Sequence, residues 1–193
     1  MLISSQKRYT ITMSKTTLKK TLRELTRDQI IDVVLELYDA RRDAREYLEY
    51  FVNPDEAGMA EKARAIIAKE FFPPRGRAKG RSLICRRAIK DYTLLHPSPR
   101  HIADVKLYLV ECVITYAVAK RWWITETQEK LLHSALIEAV DYCISHDLYE
   151  DMHSRIAAII HTLAASRALV AREAMTLYRS FCEENGIFSE QSQ

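Results

Sequence analysis

Glycine and proline are both scarce, with four and five residues among 193, against average usage of about 7% and 5%. So few glycines leave little for hairpin turns at positive φ or for loops that wrap a phosphate. That scarcity argues against an all-β sandwich, a Rossmann domain and a P-loop enzyme. No apolar run approaches the ~18 residues of a membrane-crossing helix. Residues 1–12 hold Lys7 and Arg8 but no apolar stretch of a secretory signal. The four cysteines, Cys85, Cys112, Cys143 and Cys182, lie 27, 31 and 39 residues apart with no Cys-x-x-Cys pair. A zinc knuckle or dense disulfide scaffold does not fit that spacing. Each cysteine falls in an apolar helical pattern, so the four read as buried, reduced thiols of a reducing compartment. The G-x-S-x-G and H-E-x-x-H signatures are also missing.

Hydrophobic residues make up 48% of the chain and charged ones 28%, which suits one domain of ordinary size with a real core. Apolar residues recur at helical spacing nearly throughout. Leu18, Leu22 and Leu25 mark a first helix capped by Ser14 or Thr16. Thr26 with Gln29, and Thr125 with Gln128, read as capping boxes. Asn53-Pro54 is read as the cap and first position of a fourth helix, and Ser98-Pro99 as those of a sixth. Phe71-Phe72-Pro73-Pro74 stops the fourth, and Asn185-Gly186 ends the last. The expectation is an all-α single domain of about nine helices over 14–186. They would pack as antiparallel hairpins, in an irregular bundle or a short HEAT-like array. Residues 1–13 would form a loose tail, hinting at a strand only through Tyr9 and Ile11, and 187–193 a C-terminal tail. Met13 reads as an alternative start.

The charge is +3 overall but unevenly placed. Arg75, Arg77, Lys79, Arg81, Arg86, Arg87 and Lys90 put seven of the 29 cationic residues in sixteen positions with no acid between them, leaving 22 against 26 acids elsewhere. Arginine forks bind phosphate or carboxylate at two points, and Gly76 and Gly80 let backbone amides approach an anion. The segment fits a solvated loop paired with Asp55, Glu56 or Glu61, a nucleic-acid or other polyanion contact, or a contact with an acidic protein surface. No base-reading motif accompanies it. Trp122-Trp123 reads as a core or interface anchor.

In the sixth helix, Asp104, Tyr108, Glu111 and Thr115 share one narrow sector with His101 at its margin, and apolar residues fill the rest. Such a helix is central. Its stripe is a solvated face, a structural ion pair, or a cleft using Glu111 as acid or base. A weaker pattern joins Glu129 with His133 and Glu150 with His153, with His161 further along. It lacks the second Glu-x-x-His of a di-iron bundle, so no metal or other cofactor is expected.

From Met13 onward the chain resembles a bacterial family known only as a domain of unknown function, over residues 13–185. The likeness rests on Met13-Ser14-Lys15-Thr16-Thr17-Leu18-Lys19-Lys20, on Leu35 and Tyr38, and on Phe51-Val52-Asn53-Pro54-Asp55. Lys69-Glu70-Phe71-Phe72-Pro73, Arg75-Gly76, Ser98-Pro99 and Tyr108 through Glu111 complete it. The resemblance implies a small cytosolic bacterial protein, carries no activity or site residue with it, and leaves residues 1–12 outside the pattern. The functional expectation is a non-catalytic interaction or scaffold module whose basic segment contacts an anionic partner. A sequence-nonspecific nucleic-acid binder is the alternative, and a metal-dependent enzyme the third. The partner is a protein or polyanion and not a membrane, and self-association is left open.

Overall fold

Helices begin where local capping chemistry puts them. In the computed structural model, which describes residues 14–187, the Ser14 hydroxyl accepts the Thr17 amide at 3.2 Å, opening α1 (Lys15–Glu24). The capping box of Thr26 and Gln29 opens α2 (Arg27–Ala40), and α3 (Arg42–Val52) follows after one residue, Arg41. For α4 (Glu56–Phe71) the cap is Asp55, not Asn53. Its carboxylate accepts the Gly58 amide at 2.9 Å, while Asn53 closes α3. An ionised cap outcompetes an amide one at the positive end of a helix. Beyond these lie α5 (Ser82–Thr93), α6 (Pro99–Ala119), α7 (Glu126–Ser145), α8 (Tyr149–Ala164) and α9 (Leu169–Glu184). The Thr125–Gln128 box opens α7 as expected. All regular structure among the described residues is α-helical, and none of the helices is long and apolar enough to cross a membrane. The tail and strand hint expected over residues 1–13 fall outside the described residues, as do 188–193. Ile187 packs against the core, its amide donating to the Cys182 carbonyl at 2.8 Å.

Contacts group the chain into two compact units that meet between Pro54 and Asp55 in the sequence. The first unit holds α1–α3. Its hairpin of α2 and α3 is fixed by polar contacts: Tyr38 OH donates to Glu49 at 2.8 Å, and Arg45 Nε donates to the Tyr38 carbonyl at 3.3 Å. No residue from 14 to 54 is buried.

The second unit holds α4–α9 and the hydrophobic core. Within it α4, α6 and α8 touch in series, as do α5, α7 and α9, and each helix also touches the next in the chain. The long α6 lies at the centre and packs on α4, α5, α7 and α8. Its apolar majority is the reason: Val105, Leu107, Val110 and Val113 are wholly buried, and Leu109 is 2% exposed. All four cysteines are free and buried. Burial pushes the Cys85 thiol to about 12 and that of Cys112 to about 11.

Candidate functional site

The loop that follows α4 is tied to the helix it leaves. The Lys79 and Gly80 amides both donate to the Glu70 carbonyl at 2.9 Å. The Glu70 side chain is 6% exposed. It accepts the Arg81 amide at 3.1 Å, Nε at 3.0 Å and Nη2 at 2.7 Å. These bonds from Arg81 hold the Glu70 carboxyl below the usual carboxylate range. Gly80 has φ +56°, and a Cβ there would lie 2.5 Å from Gln128 Nε2 and 3.2 Å from the Phe71 ring. Only glycine fits beneath that buried glutamine, itself held by the α7 capping box.

Arg81 is therefore a clamp. Arg86 donates to both Glu138 oxygens at 2.9 and 2.8 Å and to Ser134 Oγ at 2.6 Å. Arg87 lies 3.5 Å from Asp91. Arg75, Arg77, Lys79 and Lys90 are exposed and enter no ion pair among the described residues. The acids expected to neutralise the segment are engaged elsewhere: Asp55 caps α4, Glu61 pairs with Arg64, and Glu56 holds Ser98 and His101. Two large apolar side chains flank the loop, Phe72 at 45% and Leu83 at 77% exposure.

The polar stripe of α6 closes on arginines from neighbouring helices. Arg155 of α8 grips Glu111 with Nε and Nη2, both at 2.8 Å, and reaches Asp104 with Nη1. Arg64 of α4 pairs with Asp104 from the other side. Asp104 and Glu111 thus join α4, α6 and α8, and both Glu111 oxygens are committed to one guanidinium. Tyr108 is half-buried, its hydroxyl pushed up to about 12 by burial. Thr115 is exposed and lines a groove of about 410 Å³ between α6 and α8, with Glu111 and Arg155 at one end. Sequence spacing pointed to the acids but missed Arg64 and Arg155. The only signal was a lone arginine beside the apolar residues Met152, Ile156 and Ile159 of α8.

A second polar cluster closes the start of α6. One Glu56 oxygen accepts the Ser98 amide at 3.1 Å and its hydroxyl at 2.7 Å, and lies 2.7 Å from His101 Nδ1. The Ser98 hydroxyl is also 2.9 Å from that Nδ1. Hydrogen bonds from Ser98, then His101, hold the Glu56 carboxyl below its usual range. A catalytic triad needs the hydroxyl on one imidazole nitrogen and the acid on the other. Here both meet Nδ1, which makes the cluster a cap for α6.

The remaining candidates do not converge. Among the described residues no three His, Cys, Asp or Glu side chains form a group able to hold a metal. His133 Nε2 lies 3.3 Å from the Val170 carbonyl, His153 leans on the Tyr149 ring, and Glu150 sits in the first turn of α8. Glu129 is half-buried and His161 exposed. Trp122 packs against the core, whereas Trp123 is 87% exposed. A groove of about 360 Å³ between α5, α6 and α7 is lined by Arg86, Lys90, Lys106 and Glu138. Burial lowers the Lys106 pKa, and its ammonium lies 5.2 Å from the centroid of the Tyr142 ring.

Comparison with curated proteins and with solved structures returns no match. A family model does match, over residues 13–181, and its description is a family of unknown function, DUF6155. The match spans both units and every cluster described above, so the chain belongs to that family.

Proposed function

We propose that this protein is a non-catalytic interaction module that offers its basic loop to an acidic surface of a protein partner in a bacterial cytoplasm. One observation carries the reading. Arg75, Arg77 and Lys79 stay exposed and free of ion pairs on a loop clamped at its base by Glu70, Arg81 and Gly80. A clamped loop loses little conformational freedom on binding, so more of each contact remains as affinity. The flanking Phe72 and Leu83 favour a protein over nucleic acid. Phenylalanine and arginine are among the residues enriched at protein interfaces, and the exposed Phe72 stands three positions before Arg75. Four free buried thiols suit a reducing cytoplasm. The alternating contacts of α4, α6, α8 and α5, α7, α9 suit a stacked-hairpin scaffold.

The test is affinity purification from the native cell with the wild type and with Arg75→Glu/Arg77→Glu/Lys79→Glu, each with and without nuclease. Arg81 is left untouched to preserve the fold. The expected result is a partner that survives nuclease and is lost from the triple variant and from Leu83→Ala. Partners lost on nuclease treatment would favour nucleic acid, as would oligonucleotide binding that falls steeply with salt. Equal capture by wild type and triple variant would overturn the proposal.

A further inference from the structure

Residues 14–54 make three helices and bury nothing. Helices of 10 and 11 residues, as α1 and α3 are, are marginal in water. Those in proteins draw most of their stability from packing an apolar face. Here such faces exist but lie open: Leu35 is 55%, Phe51 71% and Val52 81% exposed, with Ile31, Val33 and Leu37 each above 40%. The pairing of α2 with α3 across Arg41 leaves them open. Within the unit only α2 and α3 pack substantially, leaving α1 to one side with its leucine stripe lining an open groove.

Charge indicates what covers this surface. Helix α1 carries Lys15, Lys19, Lys20 and Arg23 against Glu24 alone. Helix α2 carries Asp28, Asp32, Glu36 and Asp39 against Arg27 alone, and its acids fall in one sector at 100° per residue. One unit thus holds both a basic and an acidic rim around apolar faces. That self-complementarity is what a two-fold interface between identical chains requires. We propose that residues 14–54 are a homodimerisation surface, with the basic leucine face of α1 in one chain packing beside the acidic, apolar α2 of a second copy. This goes beyond the basic loop, which lies in the other unit, and it stands or falls independently.

The experiment is sedimentation equilibrium on the full chain, with circular dichroism to verify folding. Wild type should sediment at twice 22.4 kDa at micromolar concentration. Lys19→Glu/Arg23→Glu places acid against the acidic α2, and Asp32→Lys/Glu36→Lys places base against the basic α1, so each variant alone should be monomeric. An equimolar mixture should restore the dimer, because both opposing pairs then carry opposite charge. A monomeric wild type would overturn the proposal. So would dimers that survive in both variants, or a mixture that stays monomeric.

Discussion

Replacing Arg155 by Met tests the charged bridge across α4, α6 and α8. The substitution keeps an apolar stem of similar reach and removes the guanidinium. Glu111 then loses both of its donors, while Asp104 keeps Arg64. Breaking one side of a fully buried pair destabilises by ~3–5 kcal/mol, and an exposed pair contributes ~0–1 kcal/mol. Asp104, Arg155 and Glu111 retain 25%, 30% and 35% of their exposure. The loss should therefore lie between those limits, at about 2 kcal/mol. For a chain of this size that is a fall in Tm of ~4–8 °C. Both tryptophans, Trp122 and Trp123, lie in the unit that contains the bridge, so urea unfolding followed by their fluorescence reads that unit. A cycle with Glu111→Gln should show a coupling of about 1 kcal/mol or more, as expected of residues in one network. A loss below ~0.5 kcal/mol, the range of ordinary surface substitutions, together with no coupling, would refute the reasoning and return the stripe to a solvated face.

Three further outcomes are expected. Gly80→Ala combines a left-handed backbone with a clash against Gln128 and should destabilise by ~1–3 kcal/mol in the same urea assay; a neutral result would mean that the loop and Gln128 move apart freely. Leu109→Ala should lose ~2–5 kcal/mol as a buried leucine of the central helix, and a loss under ~1 kcal/mol would place that face outside the core. The Glu56 and Glu70 carboxyls are depressed in the fold by Ser98 and Arg81. Their stabilisation is therefore complete above the unfolded carboxylate value of ~4.3 and is lost as pH falls through the lower folded values. Tm scanned from roughly pH 6 downward should hold and then drop below about 4.5, with Glu70→Gln flattening that drop. An acid limb unchanged in Glu70→Gln would contradict the clamp.

Features governed by neighbours within one helical turn were legible in the sequence. The capping boxes at Thr26 and Thr125, the cap at Ser14 and the central placement of α6 all depend on residues three or four apart. Asn53 misled because Asp55, two residues later, offers a charged acceptor to the same helix end. The two acids of the α6 stripe were visible, but Arg155 lies 44 residues from Glu111 and 51 from Asp104, and no local pattern links residues so distant. The basic segment shows the same limit: its composition treats seven cations alike, whereas Glu70, eleven residues before Arg81, makes one of them a clamp and leaves others at the surface. The break at Pro54 was readable as a helix start, but not as a boundary between units. That distinction depends on packing, and the exposed faces of α2 look like core faces when only their periodicity is known.

The four thiols sit on four different helices, Cys85 on α5, Cys112 on α6, Cys143 on α7 and Cys182 on α9. None is open to solvent. An alkylating reagent can therefore reach each one only when its own helix opens or the whole unit unfolds, and the labelling rate at each site reports the free energy of that opening. Pulsed alkylation with peptide mass spectrometry would resolve four separate opening equilibria in the unmodified protein, one per helix. Convergence of all four on the global value would mark residues 55–187 as a single cooperative block, whereas early labelling at Cys182 alone would make α9 the end from which the stack frays.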